Sequence, residues 1–251
     1  TNGGAVAVLG GDITFAKNAT FTNNSAAGAS ALYLGESGGM IAFDGDVVFT
    51  GNTGVGTLLN NNTNGRISFA KGMTFDGNTN NANGALVNSG TVSVAGGNVI
   101  FTNNTGSNGG GLKNSGTFTA QTSGNVLFDN NVTSSTAGAL DNGGTIAFTA
   151  PTVSFTKNSS NAGYAGAIFN AGYLSILGQE NIFRGNIARD TVATKSGGGA
   201  IHNRGNTGSS ELIIGVSNGT TLFDSNMSSA HGGAIVSRAF DGTGQDSSVT
   251  V

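Results

Sequence analysis

The 251-residue chain contains 44 Gly, one Pro, no Cys and no Trp, and 9% of its residues are charged, for a formal net charge of −3; an ordinary soluble domain is about a quarter charged. The absence of Cys excludes disulfide frameworks, thiolate metal sites and cysteine nucleophiles, two His are too few for a zinc site, and ten dispersed Lys and Arg leave no footprint for nucleic acid. No apolar run approaches the ~18 residues of a membrane-spanning helix, yet 37% hydrophobic content with 15 Phe marks a chain that orders.

The chain opens Thr1-Asn-Gly-Gly4 without a signal peptide, as a piece of a longer protein would. Three elements then follow in order. A small–small–aliphatic step, Gly4-Ala5-Val6, precedes an alternating apolar pair, Ile13/Phe15, and an F-x-x-N motif, Phe21–Asn24. The same trio returns as Ser30-Ala31-Leu32, Ile41/Phe43 and Phe49–Asn52, then as Gly56-Thr57-Leu58, Ile67/Phe69 and Phe75–Asn78. It continues through Gly84-Ala85-Leu86, Val92/Val94 and Phe101–Asn104 to Gly110-Gly111-Leu112, Phe118/Ala120 and Phe128–Asn131. Next come Gly138-Ala139-Leu140, Ile146/Phe148 and Phe155–Asn158, and Gly166-Ala167-Ile168, Leu174/Ile176 and Phe183–Asn186. The last motif, Phe223–Asn226, follows Gly199-Ala200-Ile201 and Leu212/Ile214, and the chain ends on Gly233-Ala234-Ile235 and Val249/Val251.

Successive motif Phe residues are 28, 26, 26, 27, 27, 28 and 40 residues apart. A period near 27 with three short alternating segments and no 3.6-residue periodicity predicts strands, not helices. Three strands per turn at constant register predict an all-β, right-handed parallel β-helix of about eight to nine coils, one domain over residues 1–251, roughly 40 Å long at ~4.8 Å per coil. Alternation turns the step aliphatics inward and the next position outward: Ala7, Tyr33, Leu59, Val87, Lys113, Asp141, Phe169, His202 and Val236. Asn60, Asn88, Asn114, Asn142, Asn170 and Asn203 follow and turn inward again, where stacked amide ladders would satisfy them. The motif Asn should form a second corner ladder, using Asn's tolerance of left-handed backbone, and the motif Phe should stack coil on coil. The step Gly should sit where a Cβ would crowd a neighbouring wall, and Pro151 should fall between two strands. Both ends should be open, which allows self-association through sheet edges.

The period breaks late, with longer loops at about 187–197, 203–210 and 236–248. In or beside them lie Arg189, Lys195, His202, Arg204, His231, Arg238, Asp241 and Asp246, the candidate partner-binding residues. Neutral insertion at tolerant corners is the alternative.

F-x-x-N alternating with G-G-A-[ILV], intact at Gly3-Gly4-Ala5-Val6, Gly198-Gly199-Ala200-Ile201 and Gly232-Gly233-Ala234-Ile235, resembles the repeats of the chlamydial polymorphic membrane protein family along essentially the whole chain. The resemblance implies an autotransporter: a signal peptide, a β-helical passenger and a C-terminal outer-membrane barrel, of which only passenger-like repeats are in this sequence. It implies an adhesin on the bacterial surface or secreted, binding a host-cell protein or glycan, with no membrane contact except through that barrel. Several G-G-A positions are degenerate and Cys is absent, where such proteins often carry some.

Other chemistry finds little support in the residues. Paired carboxylates for glycan hydrolysis need to lie about 5–9.5 Å apart; Asp76, Asp129 and Asp224 share an outward column with Thr102, Thr156 and Arg184 between them, and Asp141 and His202 are two coils apart. The expectation is therefore a binding protein without catalysis, cofactor or metal. A passive stalk displaying another domain and a polysaccharide-degrading enzyme are the alternatives.

Overall fold

A computed structural model describes residues 3–35, 37–80, 82–189, 197–205, 210–238 and 247–251. Among these every regular element is a strand, and every strand pairing is parallel, which makes the chain a parallel β-solenoid. The first sheet stacks nine strands, from Val6–Val8 to Ile235–Arg238. Its register is the one the step predicts: Leu58, Leu86, Leu112, Leu140, Ile168 and Ile201 are matched coil to coil.

The apolar-pair and motif-Phe columns belong to a single second sheet of 15 strands. They are separate strands early in the chain, such as Thr91–Val94 and Val99–Thr102, and merge into twelve-residue strands at Thr145–Thr156 and Tyr173–Arg184. Pro151 therefore lies inside a strand and not between two. Its neighbours Ala150 and Thr152 pair with Gly178 and Glu180, and the register skips Pro151, which has no N–H to contribute. A third sheet, absent from the sequence-based prediction, consists of seven two-residue strands just after the motif Asn residues from Asn52 onward, such as Thr105–Gly106 and Ile187–Ala188. The seven strands of that sheet span about six turns, against the eight to nine coils expected, while the first sheet stacks nine strands.

The core is a set of ladders. The motif Phe rings stack from Phe21 to Phe223 at centroid separations between 4.5 and 5.5 Å with interplanar angles of 13° or less. Each ring thus meets its copy across one strand spacing. A shorter stack, Phe15, Phe43 and Phe69, runs beside it and meets it edge-on, as Phe15 meets Phe21. The step Ala packs against the Phe column. At Gly111, which stands in that position, an added Cβ would lie 3.1 Å from Phe128 Cδ1, so even a methyl is a tight fit there.

The motif Asn residues form a continuous amide ladder. Asn104 Nδ2 donates to Asn131 Oδ1 and to the carbonyl of Phe75, while its Oδ1 accepts from the backbone N–H and Nδ2 of Asn78. The pattern repeats from Asn24 to Asn226. The left-handed backbone sits one residue earlier than expected, at Asn23, Gly51, Gly77, Asn103, Asn130, Lys157, Gly185 and Ser225, with φ between 52° and 64°. That reversal is what points the motif Asn inward, so the Asn serves the ladder and its predecessor makes the turn.

The second ladder also forms. Asn60, Asn88, Asn114, Asn142, Asn170 and Asn203 link Nδ2 to Oδ1 in order at 2.8–2.9 Å. From Asn88 to Asn170 each Nδ2 also donates to the carbonyl two residues on, as Asn114 does to Gly116, while Asn203 Nδ2 donates to Ser248 O. The preceding coil has Leu34 in this register, so Asn60 Oδ1 starts the ladder buried and without a partner.

Candidate functional site

The first sheet's outer face carries the side chains that the core does not use. Parallel register puts Lys113, Asp141, Phe169 and His202 in one column, one coil apart. Two residues on, past the buried Asn ladder, runs a column of Ser115, Gly143, Ala171 and Arg204. Three consecutive small side chains leave a trough, and Arg204 closes its end. Thr136 and Tyr164, each four residues before its coil's step aliphatic, form the flanking wall. Together with Asn114 these residues, His202 excepted, line a groove of about 310 Å³, at the small end of the range for ligand sites, about 300–1,000 Å³.

Within the groove Thr136 Oγ1 donates to Asp141 Oδ2 at 3.2 Å, and Lys113 Nζ donates to Asn83 Oδ1 at 3.0 Å. Burial pushes the Asp141 carboxyl above its ordinary range, against the opposing effects of the Thr136 hydrogen bond and the Lys113 charge. The Tyr164 and Phe169 rings lie 5.1 Å apart and tilted at 35°, and the Arg204 guanidinium sits 5.8 Å from the Tyr164 ring centroid. The arrangement combines an aromatic wall, a partly desolvated carboxylate and two cations.

His202 is in the outward column but is not an outward-exposed group as expected. It is 1% exposed, wedged edge-on between Tyr164 at 5.5 Å and Phe169 at 5.6 Å. Burial lowers its pKa to about 4; the Tyr164 backbone opposes the shift, and the Arg204 and Arg238 charges add to it. The ring is thus neutral at physiological pH and acts as an aromatic spacer behind the groove.

Of the other candidate residues, Arg238 stands one coil beyond Arg204 in direct register. Arg189 is exposed after the third-sheet strand Ile187–Ala188, its N–H donating to Ser160 O at 2.8 Å. His231 is exposed in the bend ahead of the last first-sheet strand. Lys195, Asp241 and Asp246 lie outside the described residues, as do 190–196, 206–209 and 239–246 of the three longer loops. The structure therefore gathers His202, Arg204 and Arg238, and it leaves Arg189 and His231 apart from them.

No family profile, curated protein or solved structure matches the chain. Its chemistry has to be read from the residues themselves.

Sequence reasoning had placed Lys113, Asp141 and Phe169 outward but had not joined them to Tyr164. Tyr164 shares a column with Ala82, Asn108 and Thr136, which have no residue type in common; only aligning columns by distance from the step aliphatic reveals it. The other outward carboxylates are used between coils. Asp76 Oδ1 accepts from Thr102 Oγ1 at 2.7 Å and from Asn103 Nδ2 at 2.9 Å, Asp129 accepts from Thr156, and Asp224 pairs with Arg184 at 2.8 Å. Among the described residues no group of three His, Asp or Glu is placed to hold a metal ion.

Proposed function

We propose that this chain is a binding segment of a bacterial surface protein, an adhesin of the autotransporter-passenger kind, which engages host cells through the outer face of its first sheet. The observation that carries the reading is the groove, to which four successive coils contribute side chains fixed in register on a rigid solenoid. The F-x-x-N and G-G-A-[ILV] repeats support the passenger assignment. A fold built from backbone ladders keeps such a face in place without a separate domain, and binding residues commonly sit where a rigid scaffold frees its outward positions. Surface location, export and a membrane barrel elsewhere in the protein belong to the same proposal.

The test is binding of the purified, labelled 251-residue chain to cultured epithelial cells, measured by flow cytometry. Saturable binding that falls at least tenfold in Phe169→Ser combined with Arg204→Ser, with an unchanged far-ultraviolet spectrum, supports the reading. A variant lacking 206–209 and 239–246, which spares the strands Ile201–Arg204, Ser210–Ile214, Ile235–Arg238 and Ser247–Thr250, asks whether the loops contribute. Absence of saturable binding by the folded wild-type chain rejects the adhesin reading and leaves a display stalk.

A further inference from the structure

We propose that the groove takes one uncharged sugar ring, a hexose or N-acetylhexosamine unit, whose C–H face rests on Tyr164 and Phe169 and whose hydroxyls bond to Asp141. The assignment rests on the adhesin reading above and narrows its ligand. Four features of the groove lead to it.

Asp141 is half-buried; Thr136 donates to Oδ2, and Oδ1 has no hydrogen-bond partner among the described residues. A carboxylate oxygen in that state wants a donor. A cationic donor is disfavoured, because Lys113 and Arg204 already flank the site. An anion at the free Asp141 oxygen is disfavoured by that carboxylate itself. The fitting donor is thus neutral, and hydroxyl is the group that offers several neutral donors on one small ligand.

The other wall asks for apolar surface. Tyr164 and Phe169 present tilted rings opposite Ser115, Gly143 and Ala171. A sugar ring has an apolar C–H face and a polar rim, which matches one aromatic wall and one polar wall. Lys113 and Asn114 supply further polar groups at the rim, and Arg204 bounds the trough at its C-terminal end. At about 310 Å³ the space suits a terminal sugar and not an extended chain.

The experiment is saturation-transfer-difference NMR on the complete chain with methyl glycosides of glucose, galactose, N-acetylglucosamine and N-acetylgalactosamine, with glucuronate and sialate as charged comparisons. The variants are Asp141→Asn, which keeps shape but removes the charged acceptor, and Phe169→Ser, each checked by circular dichroism. The expected result is transfer to the C–H protons of at least one neutral glycoside, at a Kd in the millimolar range or tighter, weakened at least tenfold by either substitution. No transfer from any neutral glycoside, preference for the charged sugars, or transfer unchanged in both variants overturns the assignment. Cell binding by the same two variants separates the readings. If cells are bound through Asp141 and Phe169 but no sugar is, the ligand assignment falls and the adhesin reading stands; if sugar binds and cells do not, the adhesin reading falls.

Discussion

Replacing Asn104 with Ala tests the central ladder most directly. The Asn104 side chain accepts two hydrogen bonds from Asn78 and donates one each to Phe75 O and Asn131 Oδ1. Three of the four partners keep another bond after the deletion: Asn78 Nδ2 still reaches Phe49 O, Asn131 Oδ1 still accepts the backbone N–H of residue 104, and the Phe75 carbonyl stays in the parallel ladder with the Phe101 strand. The Asn78 N–H loses the side chain that satisfied it, in a fully buried corner. At about 1–3 kcal/mol for one orphaned group, the variant should lose about 1–3 kcal/mol. Asn98→Ala is the comparison, because exposed Asn98 gives up only the N–H of Asn125 and should cost no more than about 1 kcal/mol. Urea unfolding followed by far-ultraviolet circular dichroism suits a chain without Trp. Hydrogen exchange at residues 75–80 and 101–106 guards against local opening, which stacked repeats allow. Asn104→Asp adds a sign test. An ionised carboxylate cannot donate to Phe75 O or Asn131 Oδ1, so its folded pKa must rise above the unfolded ~3.9. The folded variant then binds more protons, and its stability should fall as pH rises from about 4 and recover on acidification. A change below about 0.5 kcal/mol in Asn104→Ala would falsify the claim that the ladder holds this corner.

Three further outcomes are expected. Phe101→Ala should cost about 3–5 kcal/mol, since Phe101 stacks between Phe75 at 5.0 Å and Phe128 at 4.7 Å with no exposed surface; equilibrium unfolding measures it. Lys157→Gly should stabilise by about 0.5–1 kcal/mol, because Lys157 holds φ 52° where every other coil except that of Ser225 uses Gly or Asn; a lower midpoint than wild type would refute the turn assignment. His202, lowered to about 4 in the folded chain from 6.5, binds fewer protons than the unfolded state between those values. Its contribution is complete above pH 6.5 and is lost as pH falls towards 4, by about 3 kcal/mol in all. The raised Asp141 works in the opposite direction, so the comparison is the difference between wild type and His202→Phe from pH 7 to 4, where only the variant should escape the histidine loss.

What the sequence reveals depends on how many coils repeat a residue type. Phe75, Phe101 and Phe128 face one narrow interior, and the identity recurs because each ring must match the next, so the column can be read without a structure. The same holds for the Asn ladders, where each amide donates through Nδ2 and accepts through Oδ1 along the stack. The third sheet is invisible for the converse reason. Its strands are two residues long, too short for alternation, and their first positions hold Thr53, Thr79, Thr105, Val132, Ser159, Ile187 and Met227. The left-handed turn column is nearly readable as Asn and Gly, but Lys157 and Ser225 break it. The loop cluster is only partly a site: His202 is buried because Tyr164, from the preceding coil, closes over it.

The same logic explains why a groove arises on the first sheet's outer face. Inward positions are fixed by stacking, so variation is confined to outward columns. There a side chain need match only its two neighbours one coil away, not a closed interior. On the second sheet the outward column from Asp76 to Asp224 uses that freedom for bonds between coils, which bind the rod together. On the first sheet the sequence Ser115, Gly143, Ala171 puts three small groups in a row beside the larger Lys113, Asp141 and Phe169, so surface relief is built from size mismatch alone. Filling that relief should abolish binding while sparing the fold: Gly143 is exposed, and an added Cβ meets only Asn114 O at 3.9 Å. Gly143→Leu should therefore keep the wild-type unfolding midpoint within about 0.5 kcal/mol and block the trough between Ser115 and Ala171. Equal ligand binding by this variant would place the contact surface elsewhere on the solenoid.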